Sequence, residues 1–163
     1  MKNGLFEKIL NKRYGKPTIS EKGYLIEKIW GKENDDVASV LYVDMKDYGV
    51  TCSCISWLKY LYGDSIGGFL IGNSLKIASL SAKPIFGLYT IYELQKQPEV
   101  QKALSIDQNV DFFMDASNVW YYGLKSGELF VYDTETFELD PLGPVEMALE
   151  TLIDEWESVI EKH

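Results

Sequence analysis

A chain of 163 residues, 46% apolar and 25% charged, is long enough to bury one core without disulfide or metal staples, and its composition excludes a disordered or low-complexity segment. Its net charge of −9 opposes binding to nucleic acid or to an anionic membrane, whose phosphates it repels. No apolar run approaches the roughly 20 residues of a bilayer span, and Met1 to Lys8 lacks the apolar run of a signal peptide, so the expected compartment is the cytoplasm.

Leu5, Phe6, Ile9, Leu10 and Tyr14 recur at helical spacing and predict an amphipathic helix over 4–14, ended by Gly15-Lys16-Pro17. Tyr24, Leu25, Ile26, Ile29 and Trp30 predict a second short helix stopped at Gly31, and the polar run from Lys32 to Asp36 reads as loop. Val37 to Val43 fits either a strand or a helix. Cys54 to Tyr62 is helical in pattern, with Ile55, Leu58, Leu61 and Tyr62 on one side and Gly63 as the stop.

Short apolar runs bounded by glycine follow, Ile66 to Gly72 and Ile77 to Leu80, and these predict buried strands. Gly67, Gly68 and Gly72 fit a bulge or close strand packing. Pro84 to Tyr89 is a further candidate strand. Thr90 and Glu93 have capping-box spacing at the start of a helix, and Pro98 is expected to break or kink it.

In the C-terminal third, Val110 to Met114 and Val119 to Leu124 predict strands separated by the turn Asp115-Ala116-Ser117-Asn118. Lys125-Ser126-Gly127 makes a hairpin into Leu129 to Tyr132, and a final strand falls near Phe137. Pro144 fits the first turn of a last helix. Val145, Leu149, Leu152, Ile153, Trp156, Val159 and Ile160 form its apolar stripe. The class is therefore α+β: one domain over 1–163, an antiparallel sheet with a C-terminal meander, flanked by helices.

Catalytic chemistry has few candidates. The one histidine, His163, is the last residue, which removes Ser-His-Asp and Cys-His arrangements. There is no Walker-type phosphate loop and no dinucleotide fingerprint. Cys52 and Cys54 are one residue apart, too close for an unstrained disulfide and too few for a metal site, so reduced thiols are expected. Asp35, Asp36, Asp44 and Asp47 lack the glycine and terminal Glu of a calcium loop. No catalytic, cofactor-binding or metal-ligating residues are assigned, and no cofactor is expected.

Charge is unevenly spread. The first 32 residues carry eight basic and three acidic side chains, whereas Glu128 to Glu161 holds eleven acids and no Lys or Arg. Glu146, Glu150, Asp154, Glu157 and Glu161 make an acidic stripe along the last helix. Like charges at these spacings cost a helix about 0.2–0.5 kcal/mol per pair, so a function for that face is worth seeking. The alternative is a solubilising surface.

The run Asp111-Phe112-Phe113-Met114-Asp115-Ala116-Ser117-Asn118-Val119-Trp120-Tyr121-Tyr122 leads through Lys125-Ser126-Gly127-Glu128 to Leu129-Phe130-Val131-Tyr132-Asp133 and then to a proline-opened acidic helix. This arrangement resembles the SUKH superfamily, which includes Smi/Knr-type cell-wall regulators, the Syd protein and many bacterial immunity proteins. Ile85 to Leu94 is similar to the strand-then-helix element before that meander. Trp57 to Gly63, with Gly67-Gly68-Phe69, is similar to the family's helix and strand entry. The resemblance covers about residues 54 to 160; the first 50 match poorly.

That resemblance implies a non-catalytic module that binds another protein, with two forms in view. One is an immunity protein that neutralises a toxin, such as a nuclease whose basic surface suits an acidic inhibitor. The other is a regulatory or scaffolding adaptor linked to cell-wall physiology. A third reading, an enzyme on a small molecule, predicts a deep pocket with convergent carboxylates. The candidate partner-binding residues are Glu135, Glu138, Glu146, Glu150, Asp154 and Glu157, facing a basic toxin domain.

Overall fold

Antiparallel strands can be joined by short turns, whereas parallel ones need long crossovers; this chain pairs its strands antiparallel throughout, some through short turns and some through intervening helices. The computed structural model describes residues 3–22, 25–32, 35–43, 55–63, 65–71, 75–81 and 87–161. Among them, nine strands form one sheet in strictly sequential order, and every neighbouring pair is antiparallel. The first five are β1 (Thr18–Lys22), β2 (Leu25–Lys32), β3 (Asp35–Val43), β4 (Phe69–Ile71) and β5 (Leu75–Ile77). The C-terminal four are β6 (Asp111–Ala116), β7 (Trp120–Lys125), β8 (Glu128–Asp133) and β9 (Glu138–Pro144). Five helices flank the sheet: α1 (Leu5–Tyr14), α2 (Ile55–Tyr62), α3 (Ile91–Gln95), α4 (Pro98–Ile106) and α5 (Val145–Glu161). The fold is α+β, as the patterning predicts.

Most elements fall where the sequence places them, but strand β1 (Thr18–Lys22) has no counterpart in the sequence reading, and the run Ile77 to Leu80 is strand only at Ile77, the last residue of β5. Three further elements differ. The segment expected as a second helix is strand β2, which pairs along its length with β1 and β3. An apolar run of about two helical turns does not separate a period of 3.6 from a period of 2. Here the ladders on both sides decide it, aided by β-branched Ile26 and Ile29. The polar run assigned to loop contracts accordingly: Lys32 ends β2, and Asp35 and Asp36 open β3. Pro144 ends β9 instead of opening the last helix, which begins at Val145. A proline is tolerated there because β9 lies at the sheet edge, where no ladder bond needs its N–H. Gly72, both cysteines, Asp44, Asp47 and His163 fall outside the described residues, as does the first half of the candidate strand Pro84 to Tyr89, whose described half, 87–89, belongs to no strand of the sheet.

The capping box forms as its spacing predicts. Thr90 Oγ1 accepts from the Glu93 N–H at 3.0 Å, and Glu93 Oε1 accepts from the Thr90 N–H at 3.0 Å. Pro98 does break the helix, and it opens α4. Gly68 is the glycine that close packing requires: its φ is +91°, and a Cβ there would lie 2.5 Å from the Ile77 carbonyl oxygen.

One sheet face carries Trp30, Phe69, Ile71, Leu75, Ile77 and Met114, all buried. It packs under α1 and α2 through Phe6, Leu10, Leu58, Leu61 and Tyr62. The Phe6 ring lies 5.0 Å from Phe69 and 5.9 Å, edge-on, from Tyr62, and such pairs add about 0.5–1.5 kcal/mol beyond their burial. Tyr62 is fully enclosed, which pushes its hydroxyl pKa well up, and the hydroxyl donates to the Ala78 carbonyl at 2.7 Å. Tyr121 points to the other face, near Glu99 of α4. Burial there, with the negative fields of Asp115, Tyr89 and Glu99, raises its pKa to about 12.

Within the α1 side of this core sits a buried ion pair. Lys28 Nζ of β2 lies 3.1 Å from Glu7 Oε2 of α1, with side chains 6% and 2% exposed. Ser65 donates to the other Glu7 oxygen. One carboxylate thus ties α1, β2 and the segment after α2 together.

Candidate partner-binding groove

The acidic stripe of α5 does not stand alone in solvent. Tyr60 of α2 donates its hydroxyl to Glu146 Oε1 at 2.8 Å, and this bond holds the Glu146 carboxyl below its usual pKa while raising that of Tyr60. Lys12 Nζ lies 3.8 Å from Glu150. Arg13 reaches Asp154 Oδ1 at 2.6 Å and donates to the Glu150 carbonyl at 3.1 Å. Basic residues near the N-terminus therefore face the acids of α5 across the α1–α5 contact. Each exposed pair contributes at most about 1 kcal/mol, but together they fix which side of α5 meets α1 and α2.

Of the six candidate binding residues, Glu146, Glu150 and Asp154 are thus engaged within the chain. Glu138 is exposed on β9. Glu135 is exposed in the β8–β9 turn, where its N–H donates to Asp133 Oδ1 at 2.8 Å. The side chain of Glu157 lies outside the described residues. The structure does not gather the other five into one patch.

It gathers a different set. A third stripe of α5, Met147, Thr151 and Glu155, borders a groove between the helix and the C-terminal strands, on the same sheet face that α1 and α2 cover further along. Trp120, Tyr122 and Val131 form its floor, Leu142 and Pro144 one wall, and Ala148 and Leu152 the other. Its volume is about 600 Å³. Met147 is 69% exposed and Leu142 43%, although both are apolar.

Sheet register places acids beside this floor. Trp120, Asp133 and Glu138 stand in one row across the three strands, and Tyr122, Val131 and Asp140 in the next. Residues in one row point to one face, so the aromatic floor continues outward into three carboxylates, with Glu155 on the helical side. Strand β9 is an edge, but Pro141, Pro144 and the irregular pairing between Leu129 and Phe130 blunt it against strand addition.

Sequence reasoning missed Trp120, Tyr122, Leu142 and Met147 as a set. Alternation marks Trp120 and Tyr122 as sharing a face, yet only the position of α5 shows that the helix leaves that face partly uncovered. Among the described residues no helix is long and apolar enough to cross a membrane. No protein-family model, curated protein or solved structure matches this chain.

Proposed function

We propose that this chain is a non-catalytic protein-binding module, an immunity protein of the SUKH type that holds a basic toxin domain against the acid-bordered groove in the cytoplasm. The observation that carries the proposal is an exposed apolar groove whose floor continues along the sheet rows into Asp133, Glu138 and Asp140, with Glu155 on the helical side and no Lys or Arg among its lining residues. An apolar centre with a charged rim is the usual anatomy of a specific interface, in which a few aromatic and aliphatic anchors supply most of the affinity. The acids supply complementarity and speed of encounter. A groove of about 600 Å³ takes one or two anchoring side chains, and the surrounding sheet face provides the rest of a contact of roughly 800 Å² per partner.

The occupant is a basic domain, because the charged groups that border the groove, Asp133, Glu138, Asp140 and Glu155, are carboxylates. The experiment is neutralisation by purified components. A basic toxin domain encoded beside this chain's gene is titrated with it, and toxin activity and complex mass are followed. The expected result is loss of toxin activity with an endpoint at one-to-one. Full toxin activity at a tenfold excess of this chain, with no complex on a sizing column, overturns the proposal.

A further inference from the structure

Four non-glycine residues among those described carry a positive φ, and each lies in a turn between C-terminal strands. Ser117 and Asn118 in the β6–β7 turn and Ser126 in the β7–β8 turn are small, polar turn formers. Phe137, which closes the β8–β9 turn at φ +62°, is neither small nor polar. A side chain in this conformation crowds its own backbone, and a bulky one is an outlier where glycine or asparagine fits. Hydrogen bonds that do not involve the ring hold the turn. The Phe137 N–H donates to the Asp133 carbonyl at 2.8 Å, and the Thr134 N–H to the Val119 carbonyl at 3.0 Å.

The ring does not serve the core either. It is 61% exposed and stands outside the buried cluster. Lys102 Nζ of α4 lies 5.9 Å from the ring centre, at the outer limit of a cation–π contact, and is 3.5 Å from Glu99. A single exposed apolar side chain is ordinary. One that is also held on a strained backbone has two costs that glycine or asparagine would relieve, and strain of this kind concentrates where ligands and partners are gripped.

The kind of partner follows from the residues around the ring. Asp133, Glu135 and Glu138 belong to the same hairpin, the last two exposed, so the ring is offered within a negative field. A socket that accepts both is apolar at its base and carries Lys or Arg at its mouth: their alkyl stems pack on the ring and their charges meet the carboxylates. The row Trp120–Asp133–Glu138 runs from the groove floor to this hairpin, which brings ring and groove within reach of one domain.

We infer that Phe137 is a knob of the partner interface, seated in an apolar socket with a basic mouth on the domain that takes the groove. This rests on the reading that the partner is a basic domain, and it adds a contact outside the groove lining.

The test pairs affinity with thermal melting for Phe137→Asn and Phe137→Gly, with the basic toxin domain encoded beside this chain's gene as the probe. Both variants should bind it at least about tenfold more weakly. Both should nevertheless melt no lower than wild type, gaining up to about 4 °C, because they relieve the strained φ. A ring that only braces the hairpin gives the opposite melting result. A loss of affinity smaller than about tenfold in Phe137→Asn, or melting below wild type in both variants, overturns the inference. Unchanged binding by Phe137→Asn beside lost binding by Met147→Asp removes the knob and leaves the groove. No binding by wild type overturns the groove reading, and the knob with it.

Discussion

Lys28→Met should lower the unfolding free energy by about 3–5 kcal/mol, because it takes the Lys28 ammonium away from a carboxylate buried in the core. Glu7→Leu should cost a similar amount, because it takes that carboxylate away from the buried ammonium. The triple replacement Glu7→Leu/Lys28→Met/Ser65→Ala removes both charges and the hydroxyl that donates to Glu7. It should recover most of the loss and can exceed wild type, since taking two ions out of water costs several kcal/mol each. Urea denaturation reads this as a shift in midpoint at unchanged slope. If the triple variant is as unstable as the singles, the ion pair is not what these substitutions disturb, and the account of how α1 is anchored fails.

The second large effect concerns the groove. Met147→Asp should weaken binding to a basic toxin domain by at least about tenfold, because it puts a carboxylate where an apolar anchor is to seat. Met147 is 69% exposed, so the variant should fold as wild type does. Trp120→Ala should cost about 2–4 kcal/mol, in the range of an interface hot spot. Reversing the rim with Glu138→Lys, Asp140→Lys and Glu155→Lys should act on the association rate, most strongly at low salt. Reversing Glu150 and Asp154 should act instead on stability, through Lys12 and Arg13. Loss of binding on reversal of Glu150 and Asp154 with none on Met147→Asp would place the contact on the α5 stripe and not in the groove.

These two sites differ in how far the sequence reveals them. Local grammar is readable: the Thr90–Glu93 cap, the Pro98 break, the Ser126–Gly127 turn and the apolar stripe of α5 each depend on neighbours within a few residues. Strand β2 is not, because a short apolar run satisfies both periods until its hydrogen-bonding partners are known. The Glu7–Lys28 pair is hidden for the same reason. Both residues look like surface charges when read in line, and 21 positions separate them. The acidic stripe was legible as a stripe, but what faces it was not. Arg13 and Tyr60 reach it from 141 and 86 residues away in the sequence. Asymmetry of charge in a sequence can thus mark an internal contact as readily as an external one.

That distinction sharpens the functional account. Acidity alone pointed to the face of α5 carrying Glu146, Glu150 and Asp154; the packing of α1 and α2 occupies it and turns the third stripe, Met147 to Glu155, toward the open sheet face. The central claim is that a partner docks there. Hydrogen–deuterium exchange of this chain, free and bound to a basic toxin domain, tests it most directly. The prediction is slowed exchange in Trp120–Leu124, Leu139–Pro144 and Met147–Leu152, with the α3–α4 segment, on the opposite face, unchanged. Slowing confined to α3 and α4, with those three segments exchanging as in the free chain, would contradict it.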